Sequence, residues 1–388
     1  MIDDLRHDVR HALRTFVRER QFAAAAVLTL TLGIGANTAI FSVVNAVVLR
    51  PLAASDPESL VRFITTTGAS TLIAGAQAFD AWRQQTSIVE NVAAHRLEYV
   101  NLAAGPEPEQ IPVARVSADF FRLFRAPVAI GRAFTPAEDL PGGARVAVLS
   151  HALWSRRFQR DPAIVGRVLS LGNVPHVVVG VLDDGFETEQ FDPSPDVWVP
   201  FQLDVRRVDG GNLFTVTGRL TPGTTIAAAN AQLAVAVAAA RRDAPGRMTA
   251  RTLWTVERLR DAMIGGARPS LVLLAAAVGL VLLIACVNVA NLLLVRADAR
   301  AREMAIRATL GAGRGRLVRQ LLTESAVLAV VSGALGLVAG IAGVRALLRM
   351  YPAGNPFRLG DGAAVIPRIG AGGAAVGVDW RVFAFTAV

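Results

Sequence analysis

No lysine occurs anywhere in the 388 residues; all 40 basic side chains are arginine. A P-loop of the pattern GxxxxGK[ST] uses its lysine to reach the β and γ phosphates of a nucleotide, so this chain cannot carry a standard ATPase cassette. Schiff-base chemistry on a lysine is excluded as well. The single cysteine, Cys286, rules out an internal disulfide framework and any multi-cysteine metal site. Five histidines, at 7, 11, 95, 151 and 176, show neither HExxH nor any other metal-ligand spacing. Ser150 and His151 are adjacent, but no GxSxG elbow surrounds them, and sequence neighbours seldom form a catalytic pair. No catalytic residue, cofactor site or metal site is therefore expected. Charged residues make up only 18% of the chain against 53% hydrophobic, too apolar for an ordinary soluble protein. The net charge of +9 could suggest nucleic acid, yet much of the excess flanks apolar spans and no nucleic-acid-binding motif is present.

What the chain does have is long apolar runs. Leu271 to Val295 is 25 residues with no ionisable side chain except Cys286, enough helix to cross a hydrocarbon core roughly 30 Å thick. The following stretch holds seven arginines between Arg296 and Arg319 against only Asp298 and Glu303, which the positive-inside rule places in the cytoplasm. Ala326 to Val344 forms a further span, with Ser332, Gly336 and Gly340 on one i, i+4 ridge where small residues let helix backbones approach closely. At the other end of the chain, Phe22 to Leu49 is 28 residues without a charge, too long for a cleaved signal peptide and read as an uncleaved anchor. Asn37 and Asn45 within it, and Asn288 and Asn291 in the later span, are assigned to helix packing through hydrogen bonds worth about 1 kcal/mol each in lipid. Before the anchor, Arg6, Arg10, Arg14 and Arg18 recur every four residues, with Leu5, Val9, Leu13 and Phe16 on a different face. This is an amphipathic helix suited either to an anionic lipid surface or to simple solvation.

The expected order is a cytoplasmic amphipathic helix (1–21), a first span (22–49), an extracytoplasmic α+β domain (50–269), a second span (270–295), a cytoplasmic loop (296–320), a third span (321–348), an extracytoplasmic loop (349–380) and the start of a fourth span (381–388). In the extracytoplasmic domain, Ala144 to Leu149 reads as a buried strand, and His151 to Phe158 as a short helix stopped by Asp161-Pro162. Val168 to Leu182 reads as a hairpin turning at Gly172-Asn173, and Leu213 to Leu220 as a strand before a Pro222-Gly223 turn. Ile226 to Arg241 is an Ala-rich helix with Asn230 and Gln232, too short and polar to span. The last strand falls near Leu253 to Val256. Gly311 to Gly315 lacks a preceding strand and a lysine, and is read as a helix C-cap and turn. Glu324 is read as one rung of a headgroup-level ladder with Arg316 and Gln320.

The run NVANLLLVRADARAREMAIRATLGAGRGRLVRQLLTES, with GIGANTAIFSVVNAVVLRPL, VAVLSHALW, VVVGVL and GRLTPG elsewhere, resembles the MacB/FtsX-like permeases of ABC transporters, especially the duplicated permeases of acidobacteria. The resemblance covers nearly the whole chain. It implies a multi-pass inner-membrane protein with its N-terminus in the cytoplasm, a MacB-type periplasmic core, and a fourth helix, so that the chain is either a fragment or continued by a separate polypeptide. It also implies a separate ABC ATPase subunit contacted by the cytoplasmic loop, where Arg302, Glu303, Ala305, Arg307 and Gly311 would form the coupling surface; from the residues alone that loop is a solvated basic segment. A second permease copy or half, membrane lipid and an extracytoplasmic adaptor are the further implied partners. Two functions follow: a permease moving an extracytoplasmic domain for export or extraction, or an ATP-driven regulator of an extracytoplasmic partner such as a cell-wall hydrolase.

Overall fold

The uncharged run after Glu19 forms a helix, α1 (Arg20–Val44), which widens into a π-helical turn over Asn45–Leu49. The computed structural model describes residues 10, 14, 16–49, 56–67, 70–72, 74–103, 108–186, 191, 194–204, 214–243, 249–264, 268–299 and 314–350. Two compact units result: a helical unit holding α1 and the two long helices near the chain's end, and a sheet unit between them in sequence.

In the sheet unit, helices α2 (Ala76–Arg83), α3 (Phe120–Leu123), α4 (His151–Phe158), α5 (Ile226–Asp243) and α6 (Leu259–Ile264) are interleaved with eleven strands. These are β1 (Leu60–Thr67), β2 (Ser70–Leu72), β3 (Val89–Ala103), β4 (Glu109–Val116), β5 (Val128–Gly131), β6 (Val146–Leu149), β7 (Val168–Leu171), β8 (Val174–Leu182), β9 (Val197–Pro200), β10 (Thr215–Leu220) and β11 (Thr252–Arg258). Their order is β11-β1-β10-β3-β4-β9-β6-β8-β5, and β7 pairs with both β8 and β3. That last pairing closes β3-β4-β9-β6-β8-β7 into a six-stranded ring.

The ring explains why β6 and β9 read as unbroken apolar runs. Successive side chains on a strand point to opposite faces, and here both faces are buried. Ala147, Leu149, Val197 and Val199 fill one apolar cluster with Ile111, Val113, Leu153 and Val178. Val146, Val148 and Trp198 belong to another, with Phe120, Phe121 and Phe124. A third cluster lies under β1, β10 and β11, where Trp82 stacks on Phe63 and meets Trp254 edge-on, covered by Ala229, Leu233 and Val237 of α5. The first and last strands of the unit lie side by side. β1 and β11 are antiparallel from Val61↔Arg258 to Thr67↔Thr252, joined by Arg62 to Glu257 at 2.6 Å and by Arg258 to Glu58.

The Gly172-Asn173 turn has φ of +57° and +65°, the left-handed pair that a two-residue hairpin between β7 and β8 requires. Helix α4 has the bounds read from the sequence, His151–Phe158, but a different stop. Gln159 and Arg160, at φ +49° and +59°, turn the chain out of the helix before Asp161, which instead caps a 3-10 turn over Pro162–Ile164.

The two later helices are longer than their apolar cores. α7 runs Arg268–Ala299 and α8 runs Arg314–Met350. Gly315 is inside the first turn of α8, so the glycine-rich stretch is not wholly a turn. Among the described residues three segments are long and apolar enough to cross a membrane: Arg20–Leu49, Arg268–Val295 and Leu322–Ala346. The expected extracytoplasmic loop and fourth span, 351–388, lie outside the described residues, as does most of the N-terminal amphipathic helix. Arg10, Arg14 and Arg18 are helical and exposed, and Phe16 packs against Ala26, Val289 and Leu328.

Candidate functional site

The helical unit is organised around α1. Residues four apart on a helix form a ridge, and the buried positions of α8 follow one such ridge through Glu324, Leu328, Ser332, Gly336, Gly340 and Val344. The two glycines meet α1 with no room for a side chain. A Cβ on Gly336 would lie 2.8 Å from Cβ and Cγ2 of Ile34, and one on Gly340 would lie 2.9 Å from the Gly35 carbonyl oxygen and Thr38 Cβ. The contact is reciprocal, since a Cβ on Gly35 would be 3.1 Å from the Gly336 carbonyl oxygen. Ser332 is fully buried on this ridge.

The opposite side of α1 meets α7. Asn37 is 8% exposed, and its Nδ2 donates to Val278 O at 3.0 Å and to Gly33 O at 3.2 Å. A Cβ on Gly33 would approach Leu282 Cδ1 and Ala285 Cβ at 3.1 and 3.3 Å. Asn45 is also buried, at the start of the π-helical turn. Sequence reasoning missed Gly33 and Gly35 as the receiving surface. Their i, i+2 spacing faces two different helices, so they form no small-residue ridge of their own.

Asn288 and Asn291 do not pack against α1. Both are exposed, because the face of α7 that packs against α1 runs through Val278, Leu282, Ala285 and Val289, and the two asparagines point away from it. The expected coupling residues Arg302, Glu303, Ala305, Arg307 and Gly311 lie outside the described residues, between the end of α7 and the start of α8. Glu324 is 4% exposed, next to Thr323, whose hydroxyl donates to Arg319 O at 2.9 Å. The side chains of Arg316 and Gln320, the other rungs of its expected ladder, fall outside the described residues.

In the sheet unit the histidines and the Ser150-His151 pair have structural surroundings. Ser150 Oγ caps α4 by accepting from Leu153 N at 3.0 Å, while His151 Nδ1 faces Asp184 at 3.2 Å. His95 sits edge-on to Phe120 and Phe191, with a buried Nδ1 that has no hydrogen-bond partner among the described residues. Burial drives its pKa down to about 4, so the ring is neutral near pH 7. A polar brace holds the segment before β6: Arg132 grips Glu138 at 2.6 and 2.9 Å, and Gln202 Nε2 donates to the carbonyls of Glu138, Gly143 and Ala144. Hydrogen bonding from Arg132 holds the Glu138 carboxyl down at about 2 despite its burial. Within the GRLTPG motif, buried Arg219 donates to Ser59 Oγ at 2.7 Å and to the carbonyls of Leu123 and Asp56, tying β10 to the start of the sheet unit and to α3. Among the described residues no three His, Cys, Asp or Glu side chains are placed to hold a metal ion.

Comparison with known proteins finds two family models along the chain. A family model described as the MacB-like periplasmic core domain matches residues 23–236, and one described as the FtsX-like permease C-terminal region matches residues 275–378. The macrolide export ATP-binding/permease protein MacB of Escherichia coli strain K12 is 28% identical over 225 residues, covering 57% of this chain and 34% of that protein. Its namesake from Rhodospirillum rubrum is 31% identical over 245 residues, covering 62% of this chain and 36% of the relative. The chain thus spans about a third of the length of these curated relatives. Among solved structures, the periplasmic region of MacB from Actinobacillus actinomycetemcomitans is 12% identical with a TM-score of 0.41, covering 57% of this chain and 97% of that one. With the core-domain match alone taking in more than half of its residues and the permease match following it, the chain belongs to the MacB/FtsX-like permeases of ABC transporters.

Proposed function

We propose that this permease converts ATP-driven motion of a separate ABC ATPase subunit into movement of its sheet unit outside the cytoplasm, for the export or extraction of a substrate. The observation that carries this reading is the α1-centred packing. Backbone-level contacts to α8 and the Asn37 bond to α7 leave little slack for a displacement to dissipate. The chain also runs from α1 into β1 and from β11 through α6 to α7, and β1 and β11 are paired with each other. The lysine-free sequence assigns ATP hydrolysis to another polypeptide.

In this reading the N-terminus and residues 296–319 are cytoplasmic and residues 51–269 are outside, as the arginine distribution favours. With Cys286 replaced, a thiol probe applied from outside should label a cysteine at Ser194 and miss one at Gly313; the reverse pattern overturns the topology. Arg302, Glu303, Ala305, Arg307 and Gly311 form the coupling surface, where charge-assisted bonds worth about 1.5–3 kcal/mol each would hold the ATPase. Ala305→Glu, or Glu303→Ala with Arg307→Ala, should abolish ATPase stimulation while leaving insertion intact, and normal stimulation in the double variant refutes the assignment. The exposed Asn288 and Asn291 support a second permease copy or half against that face of α7, because an amide facing lipid lacks a partner. Replacing both with leucine should lower dimer yield in lipid discs; an unchanged yield removes this face from the interface. Export is the direction that the names of the relatives carry, and macrolides are the first substrates to test.

A further inference from the structure

The closed ring of six strands surrounds an apolar interior, and at one end that interior gives way to charge. Side chains two residues apart on a strand share a face. Along β3 the inward row Leu102, Val100 continues to Glu98; along β4 the row Ile111, Val113 continues to Arg115. Ala147 of β6 is preceded in its row by Arg145, and Val178 of β8 by His176. Four strands therefore turn from apolar to polar together, and these four side chains line a single cleft of about 560 Å³ whose walls also include Val113 and Leu171 from the interior. The mouth of a closed barrel, with an apolar floor and a few convergent polar groups, is a recurrent place for small ligands.

The charges in the cleft do not cancel. Glu98 is taken by Arg115 Nε at 2.7 Å and approached by Arg96 at 3.6 Å. Arg145 makes no side-chain hydrogen bond or ion pair among the described residues. Its main chain is fixed all the same: its carbonyl accepts from Val177 N at 2.9 Å, and Gln202 Nε2 binds the carbonyls of Gly143 and Ala144 just before it. The result is an exposed cation with no partner among the described residues, on a braced strand end. His176 is 8% exposed, and its Nδ1 faces Val174 O at 3.0 Å, so the ring proton sits there and Nε2 is left as an acceptor. Burial first, and the nearby Arg115 and Arg145, push its pKa down and keep the ring neutral.

The geometry points to a binding site at this barrel mouth for a small hydroxylated anion, a phosphorylated or carboxylated monosaccharide. Its anionic group pairs with Arg145 and with the guanidinium nitrogens of Arg115 not used by Glu98, and one of its hydroxyls donates to His176 Nε2. The two-part recognition separates it from an inorganic anion, which lacks the hydroxyl array, and from a neutral sugar, which lacks the charge.

The test is isothermal titration of the full chain in lipid discs at neutral pH with glucose 6-phosphate, glucuronate, glucose and inorganic phosphate. At least one anionic sugar should bind saturably, with glucose and inorganic phosphate at least about tenfold weaker, a difference of about 1.4 kcal/mol. Arg145→Glu should weaken the anionic sugar at least as much without lowering the unfolding temperature, since this side chain has no partner to lose. Arg242→Glu, the same charge change at an exposed position on α5, should leave binding intact. Absence of saturable binding by both anionic sugars overturns the site. So does equal binding of glucose or inorganic phosphate, unaltered binding by Arg145→Glu, or equal weakening by Arg242→Glu.

Discussion

Placing a methyl group on Gly336 or Gly340 tests whether the α1–α8 contact is as close as its geometry indicates. A Cβ at 2.8–2.9 Å from its neighbours must retreat by roughly 1 Å to reach ordinary carbon contact distance, and the groups in the way are a Cβ, a backbone carbonyl and a branched Thr38, none of which can swing aside. Overpacking of this kind costs about 1–3 kcal/mol. Alanine also favours a helix over glycine by about 1 kcal/mol, which would mask part of the loss. The same helix supplies the correction. Gly333 and Gly343 have nothing within 4 Å of a built Cβ, so alanine there carries the propensity gain without the clash. The difference in unfolding free energy between Gly336→Ala and Gly343→Ala, measured in mixed micelles, should therefore be about 1–3 kcal/mol. Gly340→Ala should fall in the same range. Gly33→Ala should be milder, because the nearest atom is the rotatable Cδ1 of Leu282 at 3.1 Å. If all five variants unfold alike, the helices are not in backbone contact and the proposed rigid transmission fails with them.

Three further outcomes follow from the described contacts. Asn37→Leu removes the donor to Val278 O and should cost about 1 kcal/mol in the same micelle assay, with no loss of membrane insertion. His95 has a folded pKa of about 4 against 6.5, so the folded state resists protonation: its contribution is intact above pH 6.5 and about 3 kcal/mol is lost as pH falls from 6.5 through 4. His95→Phe should remove that slope from hydrogen exchange of β3 measured across the window, and an unchanged slope refutes the assignment. Glu138 is depressed to about 2, so its contribution is present above pH 4.5 and lost as pH falls towards 2; Glu138→Gln should destabilise the segment around residues 132–143 by about 2–3 kcal/mol at pH 7 and converge with the parent near pH 2, read by hydrogen exchange.

Local punctuation was readable in the sequence wherever one residue type had one backbone consequence. Gly172-Asn173 marked its hairpin, and α4 has the bounds read for it, His151 to Phe158, although Gln159 and Arg160 and not Asp161-Pro162 end it. The ring was not readable, because its closure depends on β7 meeting the far end of β3, Leu102↔Leu171, a pairing with no local trace. Nor was β9 picked out by alternation, since burial on both faces erases the period of two, whereas the apolar run of β6 was read as a buried strand. In the helical unit the ridge of Ser332, Gly336 and Gly340 stood out because small residues repeat every four positions. The packed face of α7 did not, since that helix is apolar on every side and nothing in the sequence set its α1-facing residues apart from Asn288 and Asn291. The barrel-mouth residues escaped notice for a related reason: Arg115, Arg145 and His176 look like ordinary surface residues until the strands are placed side by side.

The pairing of β1 with β11 has a mechanical meaning. The first and last strands of the sheet unit end side by side, with α6 following β11 and burying Leu259 and Ile264, so drawing the two ends apart would first pull α6 from its packing and then peel the strands one bonded pair at a time, starting at Val61 and Arg258. Hydrogen bonds yield most readily under that kind of load, since none shares it with the next. The links between Glu58 and Arg258 and between Arg62 and Glu257 are stitched across the very spot where a tear would begin. A push or pull carried equally by both ends puts no strain on that seam and moves the unit whole, whereas a spread between them meets α6 and then the stitches. In the proposed transmission such a seam would pass common motion and resist differential motion, as a hinge pin transmits a door's swing but resists its being pulled from the frame.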